Sequence, residues 1–598
     1  MTLVPPPPVY VLDIECYVNF FLVLVRPVAG GASTKWVMTS TVNEGWEALM
    51  RIVQNNLIVT FNGNNYDVPL LSLALNGATN ETLKSASDAI ILSNLKLWDL
   101  EREFGFERIT FDHIDLIEVA PGVAGLKIYG GRLHSKRMQD LPIAPEAVTT
   151  PDEQAQLTTY CENDLDTTID LYTKLIPQID LRVKMSAQYG IDLRSKSDAQ
   201  IAEAVIKSEV EKLKGARVFR PDIHRHYTFK YKAPSYLGYA TTGMRKLLEV
   251  ISATEFYLDD KGAVVMPRVL DSMHIRIGRG VYRMGIGGLH SSETSVAHRA
   301  TAERRIIDRD VTSYYPSIIL TQGLFPAHLG TEFLTVYRSL VDRRIAAKVA
   351  GDTVTADALK ICVNGSFGKL GSKWSVLYSP DLLIAVTLTG QLALLMLIEA
   401  LEESGIEVVS ANTDGVVSIV LAEQQELFDA IVAMWEMTTG LTTEGTDYSA
   451  LYSRDVNNYI AVKPDGSAKT KGAYAFEGLQ KNATNTICVK AAIAYLTKGT
   501  RVEDTVWQCF DVRDFLTVRQ VNGGAVWGDL DVPLGKAIRW YYSKGETGYI
   551  RYATNGNKVP RSEGAVPLME LPHSCPPSLD RQWYIDETNS ILQSIGAA

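Results

Sequence analysis

Acidic side chains near the start of the chain occur at spacings that could hold a divalent cation. Asp13 and Glu15 lie two residues apart in an apolar, strand-like stretch, so both side chains are predicted to face the same side. Asp67 is the last residue of the pattern Asn62-x-x-x-Tyr66-Asp67, which follows a second apolar stretch. We predict that this stretch is a strand and that Asp67 lies at its end. Two carboxylates held close together repel unless a cation lies between them. These residues therefore predict a metal site.

A third pair, Tyr160 and Asp164, occurs four residues apart in a segment with helical periodicity. This spacing places the phenol and the carboxylate on one helix face. Four carboxylates could hold two metal ions that activate a water, and Tyr160 would position that water. Taken singly, each pair is more often a strand-end or helix-surface pair. Their occurrence in order favours the metal site.

Two further aspartates lie at predicted strand ends in the middle of the chain. Asp310 follows Ile306-Ile307 and precedes Ser313-Tyr314-Tyr315, and Asp414 lies in the Asn412-Thr-Asp-Gly turn of a predicted hairpin over residues 406–420. Two such carboxylates could bind two Mg²⁺ ions, one activating a hydroxyl and the other bridging a triphosphate. The alternative for Asp414 is an ordinary turn residue.

Between these aspartates, the periodicity predicts two antiparallel helices, 333–350 and 354–368, joined at Gly351-Asp352. Polar side chains spaced by four residues would share a helix face, where arginine and lysine can bind phosphate: Arg344, Lys348, Lys360 and Asn364. The alternative is a solvated charged face.

The positioning elements are predicted to be of mixed type. Strands are predicted at 9–12, 20–25 and 57–61, and a helix over 152–176 that ends before Pro177. The Gly-rich stretch 278–288 is interpreted as a connector close to backbone or ligand. We therefore expect an α/β and α+β multidomain protein.

Composition sets broader limits. With 59 basic and 69 acidic residues the net charge is −10, but the windows 321–374 and 535–561 are locally basic, which suits a protein that binds nucleic acid in a cleft. Six scattered cysteines without a C-x-x-C motif argue against disulfides and zinc. We expect no signal peptide, no apolar stretch that reaches membrane-spanning length without charges, and a cytoplasmic location.

The ordered motifs resemble those of family B DNA polymerases, and the size is similar to compact phage-encoded members. The three N-terminal patterns resemble the exonuclease motifs, and D-x-x-S-Y-Y-P-S-I-I, K-x-x-x-N-G-S-F-G and N-T-D-G resemble polymerase motifs A, B and C. Lys469-Thr-Lys471-Gly472 resembles the K-x-K-G stretch near the primer terminus. The resemblance covers about residues 9–475.

The resemblance implies a role for each matching residue. Asp310 and Asp414 would be polymerase metal ligands, and four carboxylates would be exonuclease ligands: Asp13, Glu15, Asp67 and Asp164. Tyr315 would exclude a 2′-OH, while a second group would bind the nucleotide: Arg344, Lys348, Lys360 and Asn364. DNA contacts are expected from Asn62, Tyr459 and Lys471. The basic–aromatic strip 536–552 adds Arg539 and Tyr541 as phosphate contacts, the alternative being an amphipathic strand pair with snorkelling charges.

The implied architecture is an RNase H-like exonuclease domain followed by a right-hand polymerase with palm, fingers and thumb. The predicted boundaries are as follows: exonuclease 1–195, connector and N-terminal part of the palm 196–300, palm 301–330, fingers hairpin 331–371, palm 372–478, and thumb with C-terminal region 479–598. The short gaps between motifs argue against protein priming.

The chain departs from the family pattern at four positions. Asn412 replaces the first aspartate of D-T-D, Phe367 replaces a tyrosine, Gly365 replaces a serine, and Asn457 stands where K-x-Y has its lysine. We therefore expect altered metal affinity or fidelity.

Three hypotheses follow from these residues. The first is a DNA-directed DNA polymerase with a 3′→5′ proofreading exonuclease, acting as a monomer on primer–template DNA and dNTPs. It would use two Mg²⁺ ions per site, for which Mn²⁺ can substitute, and would work with replisome proteins and without a membrane. The second is an exonuclease whose polymerase half has decayed into a DNA-binding platform, as Asn412 and Asn457 suggest. The third, a non-catalytic DNA binder, leaves the carboxylate spacing unexplained.

Overall fold

The computed structural model describes residues 7–224, 226–476 and 478–597, which divide into two compact units. The first unit is built from three separate stretches of the described chain: 7–197, 478–487 and 507–584. The second unit takes the remainder: 198–476, 488–506 and 585–597. The predicted boundary between the exonuclease domain and the connector, at 195, lies two residues from the first division.

A six-stranded mixed sheet forms the centre of the first unit. Its strands are β1 (Val9–Tyr17), β2 (Phe20–Pro27), β3 (Thr34–Met38), β4 (Asn43–Glu44), β5 (Leu57–Thr60) and β6 (His113–Asp115). The order is β4-β3-β2-β1-β5-β6, with β1 antiparallel to β2 and parallel to β5. Alternate residues of β1 enter two different cores, Leu12 and Ile14 on one face and Val11 and Tyr17 on the other. Asp13 and Glu15 therefore share the face of Val11 and Tyr17.

Helices cover both faces of this sheet. They are α1 (Trp46–Asn55), α2 (Asp67–Leu75), α3 (Asn80–Ile91), α4 (Leu97–Phe104), α5 (Leu116–Val119), α6 (Leu126–Arg132) and α7 (Pro151–Tyr189). A capping box formed by Thr150 and Glu153 starts α7. Leu157, Cys161 and Leu165 then pack in the core that contains Val11.

The expected end of this helix before Pro177 is wrong, because α7 continues through the proline to Tyr189. A proline inside a helix removes one hydrogen bond and costs about 3 kcal/mol. Beyond it, the helix buries Ile179, Met185 and Tyr189, and burial of such side chains offsets a penalty of this size. Tertiary packing thus overrides the local signal.

The second unit contains three sheets. Its strands are β7 (Thr228–Lys230), β8 (Glu255–Leu258), β9 (Val264–Val265), β10 (Ile275–Ile277), β11 (Gly280–Met284), β12 (Leu289–Ser291), β13 (Val296–Arg299), β14 (Arg304–Val311), β15 (Glu407–Asn412), β16 (Gly415–Leu421), β17 (Thr443–Tyr448), β18 (Ala450–Asp455), β19 (Asn458–Val462) and β20 (Ala468–Thr470). The largest sheet has the order β10-β11-β12-β15-β16-β14-β17. Strands β13-β18-β19-β20 form a second sheet and β7-β8-β9 a third.

Eight helices accompany these sheets among the described residues between 198 and 476: α8 (Asp198–Lys214), α9 (Thr242–Ala253), α10 (Arg268–Asp271), α11 (Tyr314–Thr321), α12 (Glu332–Val349), α13 (Thr353–Lys369), α14 (Pro380–Glu403) and α15 (Gln425–Thr439). The predicted helical hairpin is confirmed as α12 and α13. Gly351 provides the left-handed turn at φ +72°, and the Asp352 side chain caps α13 by accepting from Thr355 N at 3.0 Å. The predicted β-hairpin is likewise confirmed as β15 and β16.

Among the described residues one helix, α14, is long and apolar enough to cross a membrane by length and composition alone. Of its most apolar window, 78% is buried inside the protein. Tyr314, on α11, donates a hydrogen bond from its hydroxyl to the Gly390 carbonyl of α14. Its burial is that of a core helix.

The C-terminal stretch is divided between the two units and does not form one region over 479–598. It contains α16 (Thr486–Lys498), α17 (Val502–Gln508), β21 (Thr517–Trp527), β22 (Val532–Tyr542), β23 (Arg551–Tyr552), β24 (Ala565–Pro567) and α18 (Arg581–Ser594). The sheet β23-β21-β22-β24 belongs to the first unit, where Val518 packs with Met138 and Ala483. This apolar contact explains why residues predicted as thumb belong with the N-terminal segment.

Candidate active sites

The first unit holds a carboxylate cluster where β1 passes α7. One ligand atom each from Asp13, Glu15 and Cys161 lie within 4.8 Å of one another. The Cys161 thiol donates a hydrogen bond to Asp13 Oδ2 at 3.4 Å, and burial raises the pKa of this thiol well above its usual value. Cys161 therefore remains a neutral donor. Nothing in its sequence context distinguishes it from an ordinary core cysteine.

Asp164 lies on the same helix, one turn after Tyr160, as the spacing predicted. Lys127, from α6, donates hydrogen bonds to both carboxylate oxygens of Asp164. The Lys127 ammonium also lies 4.0 Å from the centroid of the Tyr160 ring. Burial, followed by the charge of Asp164, raises the pKa of Tyr160. The sequence analysis missed Lys127, which no local pattern marks.

Asp67 lies at the start of α2 and not at the end of a strand. Its Oδ1 atom is buried without a hydrogen-bond partner among the described residues. The preceding loop begins at Asn62, whose backbone adopts φ +65° and donates its N–H to Asp115 Oδ1 at 2.7 Å. Asp115 also accepts from the backbone N–H of Asn64 at 2.9 Å. Asp115 therefore anchors the loop that leads to Asp67.

Burial and mutual repulsion shift the acidity of this cluster. Burial, and then the charge of Asp164, raise the pKa of Asp13 to about 7. The pKa values of Glu15 and Asp67 are raised well above the usual range by burial and by the charge of Asp13. A divalent cation would relieve this repulsion and satisfy the orphaned Asp67 oxygen. The donor set, which is mostly hard oxygen, fits Mg²⁺ or Mn²⁺.

The second unit brings Asp310 and Asp414 together, although they are distant in sequence. Asp310, on β14, is paired with Gly415 of β16 and with Glu444 of β17. Val311 N donates to Asp414 O at 2.7 Å, which ties the hairpin tip to the end of β14. A Cβ atom on Gly415 would lie 3.1 Å from Asp310 Oδ1, so a side chain at position 415 would crowd this carboxylate. Nothing in the sequence had marked Glu444 as a neighbour of Asp310.

Both aspartates border a cavity of about 260 Å³, which we call the lysine-side cavity. Its polar lining also includes Asp308, Asn412, Tyr459, Lys469 and Lys471. Burial, and then the charge of Asp414, raise the pKa of Asp310 to about 6. Burial also raises the pKa of Asp414. The predicted residues Tyr459 and Lys471 are thus placed beside the two carboxylates.

Asp308 is a further acidic residue of this cavity that the sequence analysis did not single out. It lies two residues before Asp310 on β14, so both side chains face the same side. Its buried carboxylate accepts from Tyr448 Oη at 2.5 Å and forms an ion pair of 3.2 Å with Lys469 Nζ. Asp308 therefore fixes the ammonium of Lys469 next to the catalytic candidates.

The same two aspartates border a larger cavity of about 590 Å³, which we call the cation-lined cavity. It gathers all the residues predicted to bind nucleotide: Tyr315, Arg344, Lys348, Lys360 and Asn364. Arg344 Nη1 donates to Ser313 Oγ at 3.0 Å, which orients the guanidinium. The Tyr315 ring stacks on Phe367 with a centroid distance of 4.2 Å and an interplanar angle of 24°. A large planar surface therefore adjoins three cationic side chains.

Arg539 and Tyr541 do not join either site, which corrects the expectation that they contact DNA. Arg539 is fully buried in the first unit, and its guanidinium donates to the carbonyls of Leu568 at 2.8 Å and Ser135 at 3.0 Å. Tyr541 is 6% exposed, and its hydroxyl lies 3.0 Å from Ser578 Oγ. The apolar residues around them on β22 draw this strand into the core, so the basic–aromatic strip is structural at these positions.

Comparisons with known proteins find likeness among solved structures alone. No family model matches the chain, and no curated protein matches it. Among solved structures, the chain is similar to the family B DNA polymerase from the hyperthermophilic archaeon Pyrobaculum calidifontis. The TM-score is 0.41 and the sequence identity is 16%, over 99% of this chain and 78% of that one.

Proposed function

We propose that the chain is a DNA-directed DNA polymerase that extends a primer 3′-OH with dNTPs, and that its first unit is a 3′→5′ proofreading exonuclease. The supporting observation is the position of Asp310 and Asp414, which border both cavities of the second unit. Two-metal phosphoryl transfer between two bound substrates uses carboxylates at such a junction to hold the ions.

The lining residues suggest which substrate occupies each cavity. Arg344, Lys348 and Lys360 would hold the triphosphate in the cation-lined cavity, since arginine forks onto phosphate oxygens and lysine acts there as a point charge. The sugar of the incoming nucleotide would pack on Tyr315. The primer terminus would enter the lysine-side cavity, where Tyr459 and Lys471 would contact its backbone.

The two aspartates fit a pair of Mg²⁺ ions. Burial and the nearby charge of Asp414 raise the pKa of Asp310, so a bound cation would favour its ionised form. When bound, the ions supply charge neutralisation of the triphosphate and increased acidity of the primer hydroxyl. Asp310 and Asp414 would hold them, while Asp308 keeps Lys469 in place. Mn²⁺ has similar ligand preferences and would substitute.

For the first unit we propose hydrolysis of the primer 3′ end. Asp13, Glu15, Asp67 and Asp164 would hold the cations there. Tyr160, whose phenol stays protonated because of burial, would orient the attacking water through a hydrogen bond. Asn62 would contact the strand being trimmed.

A 5′-labelled primer on a template, incubated in Mg²⁺ with and without dNTPs, tests both activities. The wild-type chain should lengthen the primer with dNTPs and shorten it without them. Asp414→Ala should abolish extension and retain shortening, and Asp13→Ala should do the reverse. Asp465→Ala, in an exposed turn, is the matched control and should retain both activities.

Other outcomes would refute the proposal in part or in full. Shortening without extension in both Mg²⁺ and Mn²⁺ would support an exonuclease with a decayed polymerase half. The absence of both activities would refute the whole proposal. A template without primer provides a separate arm, in which extension would reveal a primer-independent enzyme.

We also propose a compact, phage-type member of the family that acts as a cytoplasmic monomer. Analytical ultracentrifugation of the purified chain with and without primer–template DNA would test the monomer.

A further inference from the structure

The Gly-rich segment seen in the sequence contains a tight turn that lies against the candidate polymerase site. Residues 285–288, which we call the glycine turn, join β11 to β12, and Gly285 N donates to Gly288 O at 3.1 Å across it. Strand β12 is the neighbour of β15 in the large sheet. The turn is therefore placed beside the hairpin tip that carries Asp414.

The glycine turn approaches this tip too closely for a side chain. Thr413 N donates to Leu289 O at 2.8 Å, immediately after the turn. A Cβ atom on Gly288 would lie 2.9 Å from Thr413 Oγ1 and 3.1 Å from Thr413 Cα. Because Thr413 has a positive φ of 60°, its backbone has little freedom to move away. Gly288 therefore sets how the residue before Asp414 is held.

The glycine turn also holds the ring of Tyr315. The Tyr315 hydroxyl donates a hydrogen bond to the carbonyl of Gly287, while the ring face stacks on Phe367. The ring is thus fixed at its hydroxyl by the turn and at its face by α13. One segment of four residues contacts both the aromatic ring of the cation-lined cavity and the tip that presents a metal-binding carboxylate.

A buried glutamine anchors the glycine turn to the core helix α14. Gln391 is 1% exposed, its Nε2 donates to Gly285 O at 2.8 Å, and its Oε1 accepts from Gly285 N at 3.1 Å. The side-chain amide thus satisfies both backbone groups of Gly285, as a neighbouring strand would. Without it, the Gly285 carbonyl would lose this partner, and the Gly285 N–H would keep only its bond to Gly288 O.

We propose that the glycine turn and Gln391 are a positioning device that fixes Tyr315 relative to Asp414 and so sets the discrimination between deoxyribose and ribose. This rests on the proposed polymerase function. A ring that excludes a 2′-OH must stand at a defined distance from the carboxylate that would hold the metal ions. The turn is hydrogen-bonded to Tyr315 through Gly287 and packs against Thr413, next to Asp414, through Gly288. Gly288 and Gln391 are positioning residues, and neither touches the substrate.

The test compares single-nucleotide insertion of a dNTP and the matching rNTP in an Asp13→Ala background, so that excision does not remove the product. Tyr315→Phe keeps the ring and removes only its tether. It should lower the ratio of kcat/KM values for dNTP over rNTP by about tenfold, the effect of one lost hydrogen bond on the ring position. Gln391→Leu should lower the same ratio, and the double variant should fall no further than the lower single variant.

Gly288→Ala should act mainly on kcat, slowing both nucleotides by about tenfold or more because the Asp414 tip is displaced. Gly243→Ala, at a helical position with open space around it, is the matched control and should match the wild type. Thermal unfolding of every variant shows whether the variant still folds. Tyr315→Phe is the variant that we expect to disturb folding least.

The outcomes separate the two levels of the proposal. If the wild type extends primers and prefers dNTPs, but Tyr315→Phe keeps the preference within twofold and Gly288→Ala matches Gly243→Ala, the positioning role is refuted and the polymerase stands. If the wild type extends no primer, the proposed function fails and the positioning role fails with it.

Discussion

The side-chain amide of Asn412 donates a hydrogen bond to Oδ1 of Asn457 at 3.4 Å and a second one to the carbonyl of Val456 at 2.8 Å. These two asparagines stand at two of the four positions where the sequence departs from the family B motifs that it resembles. The pattern has an aspartate at the first position and a lysine at the second. The chain thus replaces one negative and one positive residue with a neutral pair in contact, which leaves the net charge beside Asp414 unchanged.

Restoring the charges one at a time should therefore be more harmful than restoring both. N457K alone would place an unpaired ammonium near Asp414, and N412D alone would add an unpaired carboxylate. We expect each single variant to slow primer extension about tenfold, and the N412D/N457K double variant to lie within about threefold of the wild type, because the new charges pair with each other. Steady-state extension rates across a Mg²⁺ titration measure this. Additive losses in the double variant would show that the two positions act independently.

Lys127 should control the pH dependence of excision. Its charge lowers the pKa values of Asp164 and Asp13, which burial raises. In Lys127→Met both carboxylates would remain protonated up to a higher pH, so the acidic limb of the excision profile should move to higher pH. At neutral pH the rate should fall by about tenfold, since metal binding requires the ionised carboxylates.

The control for this variant is Lys174→Met, an exposed lysine on α7. Its profile should overlay that of the wild type. Excision rates measured from pH 5 to 9 at saturating Mg²⁺ give the position of the acidic limb for each variant. An unshifted limb in Lys127→Met would show that the lysine only packs against Tyr160.

Arg539 should matter for stability and not for DNA affinity. Its guanidinium satisfies backbone carbonyls of Ser135 and Leu568 in a fully buried position. Arg539→Met would leave these carbonyls without partners and should destabilise the first unit by about 2–4 kcal/mol. Lys536→Met, an exposed change on the same strand, should have little effect.

Thermal unfolding and primer–template affinity, measured on both variants below their melting temperatures, separate the two roles. A phosphate contact would give the opposite pattern for Arg539→Met, with lower affinity, a smaller salt dependence of binding and unchanged stability.

Local sequence signals were sufficient to predict the elements that carry the candidate polymerase site. The turn chemistry of Asn412-Thr-Asp-Gly predicted the β15–β16 hairpin, and Gly351-Asp352 predicted the break between α12 and α13. The i, i+4 spacing of Arg344 and Lys348 placed both on one helix face. These features depend on neighbouring residues alone, which is why they could be predicted.

Residues that act through tertiary contacts had no such signal. Lys127 and Asp308 are paired with Asp164 and Lys469, each distant in the sequence. Arg539 lies among aromatic and basic residues that suggested a DNA contact, yet the strand is buried. The tendency of Pro177 to end the helix was outweighed by the packing of α7 on both sides of it. In each case a long-range contact, and not the local pattern, decides the outcome.

The central claim is that Asp310 and Asp414 act together in nucleotide transfer. The most direct measurement is the rate of single-nucleotide insertion by the Asp13→Ala chain, with and without Asp414→Asn, at saturating dNTP and Mg²⁺. Asp414→Asn preserves the size of the side chain and removes its charge, so the rate should fall by about a thousandfold or more. An insertion rate within threefold of the Asp13→Ala parent would contradict the assignment of this site to DNA synthesis.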